Sequence, residues 1–354
     1  MPRLPTSLLI NAYRENPLLP SLLRECRSLV SARNELRWLR ERAQRDSPEW
    51  RTRLRAMCRQ RSKGDQPFGE LEILCERGVL IPRSDTESFT NEAAKIIHEM
   101  AKSKNEPSRT SDLRVLDLCT GTGCIALLLH QLVSPNFKHL KIIGVDISPL
   151  ALNLAQRNLA YNLEQGYLAE SAGTQVQFQR ADVLSQGSSE SIPTVEGILP
   201  KLYELDLPKS NETGSEIETE VRLDLLISNP PYISNKDFWN GTTSRSVRRF
   251  EPQLALVPPP QPALPDECNA EDIFYHHILR LSLKSLARVT VLECGDIMQA
   301  RQVVKMHDSM TQALAQSGRE FKFDVRIWPE TERECAENGF HLYDGARCVI
   351  IRRM

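Results

Sequence analysis

From residue 111 to its last residues the chain alternates short apolar runs with helix-length stretches, and this alternation restricts the fold more than any other feature. Runs such as Val115-Leu-Asp-Leu118 and Leu223-Asp-Leu-Leu-Ile227 lack the strict polar-out pattern of half-exposed strands. Strands of that kind are buried on both faces, which requires helices on both sides of a mostly parallel sheet. The spacing predicts strands over 114–118, 141–146, 175–180, 223–228, 288–293, 322–328 and 347–352. The expected fold class is therefore α/β, with a doubly wound, Rossmann-like sheet.

Upstream the pattern changes. Leu22, Cys26, Leu29, Leu36, Leu39 and Ala43 recur at helical intervals, predicting one amphipathic helix over 21–43. A second is expected over 48–61, with Ser47 as its cap and Pro48 at its first position. Pro2, Pro5, Pro17 and Pro20 are expected to interrupt any amphipathic helix at the start. Residues 1–64 thus read as a small N-terminal helical domain. Residues 65–110 read as a β-hairpin, from strands over 71–74 and 78–81, followed by a linker helix over 86–102. Residues 111–354 form the main domain, in which 186–222, rich in Ser, Pro and Glu and poor in periodicity, is an exposed insertion. The Pro-rich loop 258–265 is expected to cross the surface near the mouth of the site.

Charge is uneven. Residues 1–63 hold fifteen Arg and Lys against six Asp and Glu, a net +9, so the chain's overall −1 leaves the remainder at about −10. The basic segment suits a nucleic acid or an acidic partner, and an ordinary solvated helical face accounts for it equally well. No apolar run approaches the roughly 18 residues that a spanning helix needs, so no membrane segment is expected. The nine cysteines form no CxxC pair and have no histidine at metal-ligand spacing; neither a disulfide nor a metal is expected.

The strand over 114–118 runs directly into Cys119-Thr120-Gly121-Thr122-Gly123 and then the helical stretch Ile125–Leu132. Glycines at a strand-to-helix turn permit left-handed backbone and let a ligand approach bare peptide. In an open α/β sheet that turn is where ligands bind. Asp146 ends the next strand, twenty-three residues after Gly123, where such folds place an acceptor for ribose hydroxyls. Asp182, after the third strand, is positioned to accept from an adenine amino group, with Val183 flanking the ring. The turn has no Lys-Ser/Thr phosphate clamp, and its single Gly-x-Gly is shorter than a dinucleotide fingerprint. A nucleoside without phosphates fits best, and S-adenosylmethionine is such a molecule.

Asn229-Pro230-Pro231-Tyr232 follows the strand over 223–228, on the same rim as the glycine turn. Two prolines fix φ and remove two donors, so the Asn229 side chain and the Pro230 carbonyl project as rigid acceptors. Two acceptors match the two N–H groups of a planar, weakly nucleophilic amide or aromatic amine. Tyr232 offers a face or edge for such a group to pack on. Rate enhancement at such a site comes mainly from alignment, so no strong general base is required.

These residues resemble the release factor glutamine N5-methyltransferases of bacteria and organelles. The resemblance covers most of the chain from Pro67 onward. It rests on Leu80-Ile-Pro-Arg-Ser-Asp-Thr-Glu87, Val115-Leu-Asp-Leu-Cys-Thr-Gly-Thr-Gly123, Val145-Asp146, Ile227-Ser-Asn-Pro-Pro-Tyr-Ile233 and Arg249-Phe-Glu-Pro-Gln-Leu-Ala-Leu256. It implies a class I S-adenosylmethionine-dependent methyltransferase sheet, with Cys119–Gly123 and Asp146 on the cofactor, and Asn229 touching cofactor and substrate. It also implies that Asn229–Tyr232 hold the glutamine of the Gly-Gly-Gln loop of a peptide chain release factor. The Arg-rich N-terminal domain matches the organellar branch, which implies a mitochondrial enzyme rather than a cytoplasmic one, acting close to the ribosome. There are three departures. Lys63-Gly64 runs almost directly into Gln66-Pro67-Phe68, where the family carries a Pro-x-x-Tyr-x-x-Gly segment. Cys119 replaces the customary first glycine of the turn, and 186–222 has no counterpart in compact members.

Two other readings fit the same motifs. One keeps the chemistry and takes an adenine amino group in DNA or RNA; against it, the catalytic region is net acidic and no target-reading domain is visible. The other is a cofactor-binding assembly protein that has lost turnover.

Overall fold

The structure, a computed structural model, describes residues 4–26, 28–46, 48–63, 65–102, 112–185, 192–203, 222–318, 321–338 and 345–354. The chain divides into two compact units, Met1–Glu76 and Arg77–Met354.

In the first unit, helices Thr6–Glu15, Leu19–Cys26, Leu29–Asp46 and Trp50–Lys63 precede a hairpin of β1 (Gln66–Phe68) and β2 (Leu71–Ile73). Pro5, Pro17 and Pro20 frame helices rather than interrupt them, and Pro2 lies outside the described residues. Pro5 stands at the N-cap of the first, and Pro20 lies in the first turn of the second, where a missing N–H costs nothing. The single helix expected over 21–43 is two. Ser28 starts the later one, its Oγ accepting from Ser31 N–H at 3.4 Å and its carbonyl from Ala32 N–H at 2.9 Å. The cap assigned to Ser47 lies outside the described residues. Leu22, Leu23, Leu36, Leu39, Leu54 and Met57 form this unit's core, and each fully buried leucine stabilises it by about 2 kcal/mol.

The hairpin is also displaced from its expected position. Phe68 pairs with Leu71, leaving Gly69-Glu70 as a two-residue turn with Gly69 at φ +59°. Residues 78–81 are not a strand: Gly78 takes φ +94° and Pro82 follows, so the segment bends and leaves its backbone out of any ladder.

The second unit is built on a seven-stranded sheet. Its strands are β3 (Asp112–Leu118), β4 (His139–Asp146), β5 (Val176–Arg180), β6 (Leu225–Ser228), β7 (Val289–Cys294), β8 (Phe323–Trp328) and β9 (Arg347–Arg353), in the order β5-β4-β3-β6-β7-β9-β8. All seven expected strands are present. β3 to β7 are parallel, and β9 runs antiparallel to both neighbours. The chain winds outward one way through β4 and β5 and the other way through β6 and β7. A crevice therefore opens above the C-terminal ends of β3 and β6. On one face Leu116, Leu118, Ile143, Val145, Leu226 and Leu292 pack with helices Ile273–Lys284 and Ile297–Gln316. Part of the expected insertion belongs to that core: Val195–Tyr203 is a helix that buries Val195 and Leu199. Helices Ser84–Lys102, Cys124–Val133 and Pro149–Glu164 cover the other side.

Candidate active site

Register places the site. Val145 pairs with Leu118, Leu118 with Ser228, and Ser228 with Leu292. The next residue on each strand is Asp146, Cys119, Asn229 and Glu293, so these four stand side by side across the rim, one strand spacing of roughly 4.8 Å apart. Ser228 Oγ donates to Leu118 O at 2.8 Å and locks the two central strands where they leave the sheet.

The glycine turn leaves β3 in left-handed backbone: φ is +59° at Cys119, +55° at Gly121 and +79° at Gly123. Gly123 is the N-cap of helix Cys124–Val133, and a Cβ there would lie 2.8 Å from Phe178 Cζ and 3.0 Å from Ala155. A Cβ on Gly121 would meet nothing nearer than Cys119 O at 4.0 Å, so this side of the turn faces open space. Asp146 ties the two turns together. Its Oδ2 accepts from Gly121 N–H at 2.9 Å and its Oδ1 from Ser148 N–H at 2.9 Å. Each oxygen retains a lone pair for a ligand hydroxyl. Burial raises the Asp146 carboxyl, opposed by the N–H groups of Ser148, Gly121 and Ile147. Beneath the turn, buried Asp117 accepts from Thr120 Oγ1 at 2.5 Å. Burial pushes Asp117 up to about 7, against the pull of the Thr120 bond and with the push of Asp146.

Above the turn lies a cavity of about 410 Å³, within the range of small-molecule sites. Cys119, Thr120, Gly121, Thr122, Asp146, Asp182, Val183, Asn229 and Pro231 all line it. Gly123 does not; it shapes the turn from behind. Asp182 Oδ1 accepts from Leu184 N–H at 2.9 Å, a bend that turns Val183 toward the space. Pro259 and Gln261 of the Pro-rich loop reach this cavity, as expected of 258–265.

A second cavity, about 720 Å³, lies on the other side of the proline turn. Pro230 and Tyr232 line it, and Asn229 lines both. Asn229 Nδ2 donates to Thr86 Oγ1 at 3.1 Å, and Thr86 Oγ1 donates to Glu293 Oε2 at 2.7 Å. Tyr232 OH donates to Glu293 Oε1 at 3.4 Å. Burial raises Glu293 to about 8, with Thr86 opposing and Asp85 reinforcing. The Tyr232 hydroxyl is raised by burial and then by Glu293. Gln299 Nε2 holds the Tyr232 carbonyl at 3.1 Å, and a Cβ on Gly295 would lie 3.2 Å from the Tyr232 ring. Both keep the turn's exit in one position.

A strap crosses between the cavities. Arg83 Nη2 grips Glu251 at 2.6 and 2.7 Å, its Nη1 donates to Ile81 O at 3.0 Å, and Ile81 N–H donates to Glu251 at 3.4 Å. A charge-assisted guanidinium–carboxylate contact is strong when one partner is buried, and the Glu251 side chain is 6% exposed. Leu80, Arg83 and Ala255 line both cavities. The segments around Arg83 and Glu251, which carry no acid–base chemistry themselves, are thus walls of the site.

The expected residues gather as one rim. Thr86, Glu293, Arg83 and Glu251 had no assigned role in the sequence reading. For Glu293 the signal was available: like Asp146, it is an acid at the C-terminal end of a parallel strand.

A doubly wound sheet with a nucleoside-sized cavity beside its first glycine turn is the architecture of nucleotide-binding enzymes of several chemistries, and a methyltransferase domain matches residues 109–227. The mitochondrial MRF1 N(5)-glutamine methyltransferase MTQ1 of Saccharomyces cerevisiae is 34% identical over 266 residues, spanning 73% of this chain and 68% of that protein. A probable MRF1 mitochondrial N(5)-glutamine methyltransferase of Schizosaccharomyces pombe is 29% identical, spanning 86% and 90%. The release factor glutamine methyltransferase of Geobacter sulfurreducens is 30% identical, spanning 68% of this chain and 57% of that protein. The chain belongs to this family of N(5)-glutamine methyltransferases.

Proposed function

We propose that the protein methylates the side-chain nitrogen of the glutamine in the Gly-Gly-Gln loop of a mitochondrial peptide chain release factor, using S-adenosylmethionine. The observation that carries the reading is that two cavities meet at Asn229. One suits a nucleoside and the other, larger and more open, suits a peptide loop.

The first cavity fits the cofactor on chemistry. Gly121 offers bare backbone, and Asp146, which lines the cavity, offers carboxylate lone pairs that would accept from ribose hydroxyls. Asp182 and Val183 supply an acceptor and an apolar flank for an adenine. When bound, S-adenosylmethionine supplies an electrophilic methyl on a sulfonium. The chain's own residues handle the other partner. Asn229 Oδ1 accepts one N–H of the glutamine amide and the Pro230 carbonyl the other, which aims the nitrogen and enriches it in electron density. The fixed φ of Pro230 and Pro231 holds these acceptors without reorganisation. Tyr232 packs on the planar amide, and the Arg-rich helical unit grips the release factor outside its loop.

Incubation with methyl-labelled S-adenosylmethionine and a mitochondrial release factor tests this, beside a release factor whose Gly-Gly-Gln glutamine is alanine. Label on the first alone is the expected result. Equal label on both, or label on nucleic acid and not on the release factor, overturns the reading.

A further inference from the structure

An asparagine amide is nearly symmetric in shape and opposite in polarity at its two ends. If Asn229 is to accept from a substrate N–H, its oxygen must face the cavity; a half-turn about Cβ–Cγ would present two donors to a donor. The proline turn fixes the backbone of this residue and says nothing about that rotation.

Thr86 supplies what the turn lacks. A hydroxyl has one proton to give, and the Thr86 proton goes to Glu293 Oε2 at 2.7 Å. Toward Asn229 at 3.1 Å Thr86 Oγ1 therefore acts as an acceptor, and only the Nδ2 end of the amide satisfies it. Thr86 and Glu293 are each 3% exposed, and Thr86 lines the first cavity only by its edge, so the polar ends of both face protein partners. The Thr86 carbonyl accepts from Thr90 Oγ1 at 2.7 Å, within helix Ser84–Lys102. The acceptor thus stands on a helix rather than on a loop.

We propose that Thr86 and Glu293 are positioning residues, a hydrogen-bond relay that sets the end of the Asn229 amide facing the substrate. The relay rests on the reading that Asn229 holds the glutamine amide. Its polarity depends on Glu293 accepting at Oε2. A proton on that oxygen would be donated to Thr86, free the Thr86 proton for Asn229 Oδ1, and turn the amide around. Burial that raises Glu293 to about 8 makes the protonated, reversed form the major one at neutral pH, and the accepting form takes over as pH rises through about 8. The groups facing Glu293 are Arg83 just before helix Ser84–Lys102, Asp85 and Thr86 in its first turn, Tyr232 on the proline turn, Cys294 on its own strand and Cys348 on β9.

The experiment uses the full chain, labelled cofactor and the release factor, with Thr86→Val, Thr86→Ser and Glu293→Gln. Thr86→Val is expected to lower kcat about 100-fold, the scale of a misaligned reactant, while S-adenosylhomocysteine binds within about twofold of wild type. Thr86→Ser, which keeps the hydroxyl, is expected to restore kcat to within about threefold. Wild-type kcat rises with pH through the ionisation of Glu293, and Glu293→Gln is flat over that range. Wild-type kcat in Thr86→Val, no rescue by serine, or an unchanged pH profile in Glu293→Gln overturns the relay. Absence of transfer by the wild type overturns the functional reading instead, so the two failures are told apart.

Discussion

Two turns leave neighbouring strands at the same level of the sheet and are built on opposite principles. The turn after β3 has left-handed backbone at Cys119, Gly121 and Gly123 and leaves open space beside Gly121. The turn after β6 carries Pro230 and Pro231, which restrict φ, and ends in a tyrosine whose carbonyl is held by Gln299. One uses conformational freedom to bring bare peptide close to a ligand; the other uses rigidity to aim a side chain. If that contrast is right, damage to the second should abolish chemistry and spare cofactor binding. Damage to the first should cost stability and cofactor affinity together.

The largest expected effect is on the rigid turn. Asn229→Ala removes the acceptor that lines both cavities and should lower kcat by about 1,000-fold or more, roughly 4 kcal/mol of barrier. The melting temperature should stay close to wild type, and S-adenosylhomocysteine affinity should fall far less than kcat. A variant that keeps even a tenth of wild-type turnover would break the contrast. Next is Gly123→Ala. Its Cβ would sit 2.8 Å from the Phe178 ring, at φ +79°, and a left-handed alanine with overpacking costs about 3 kcal/mol. Denaturant unfolding and cofactor titration should both register it.

How much of this could be read in the sequence follows from distance along the chain. Strand positions were legible to within a few residues because buried strands announce themselves in a window of five or six residues. Asp146 and Asn229 were legible for the same reason, since each is simply the residue after such a run. Thr86 was legible only as one letter of the block Leu80–Glu87, without a role, because its partners lie 143 and 207 positions away. The Arg83–Glu251 strap spans 168 positions and was visible only as two unexplained blocks of motif. Local signals also misled where two choices were close. Residues 71–74 and 78–81 are equally apolar, and the true partner of β2 contains Pro67, which a strand pattern discounts. The helix Val195–Tyr203 was missed because it is short, contains Pro200 and sits among Ser- and Glu-rich segments.

The rigid side also carries an electrostatic cost. Glu293 is raised from 4.5 to about 8 when folded. The native state then binds its proton more tightly than the unfolded chain does. This contribution is complete below about 4.5 and is lost as pH rises through about 8. Glu293→Gln removes the titration. It should therefore be more stable than wild type above pH 8, by about 2 kcal/mol after allowance for relaxation around the buried group, with the advantage fading toward pH 5. Thermal melts across that range check the sign. A glutamine variant less stable than wild type at pH 9 would mean that the carboxylate is better satisfied than its surroundings of Thr86, Tyr232, Asp85 and Arg83 imply.

The smallest effect sharpens the other side. Cys119 holds φ +59°, a conformation that costs a residue with a Cβ about 1 kcal/mol and a glycine nothing. Burial drives its thiol well above the ordinary range, reinforced by Asp146 and Asp117, so it is no nucleophile. What the turn needs at this position is the backbone. Cys119→Gly should leave kcat and cofactor affinity within about twofold of wild type. Strain relief, less the extra entropy of an unfolded glycine, should change stability by under about 1 kcal/mol. Cys119→Val should lose about 2 kcal/mol, since a β-branched residue tolerates left-handed backbone worst. If glycine instead abolished transfer while valine preserved it, the side chain would be what the site uses, and the division between a turn that offers backbone and a turn that offers a side chain would fail at its first residue.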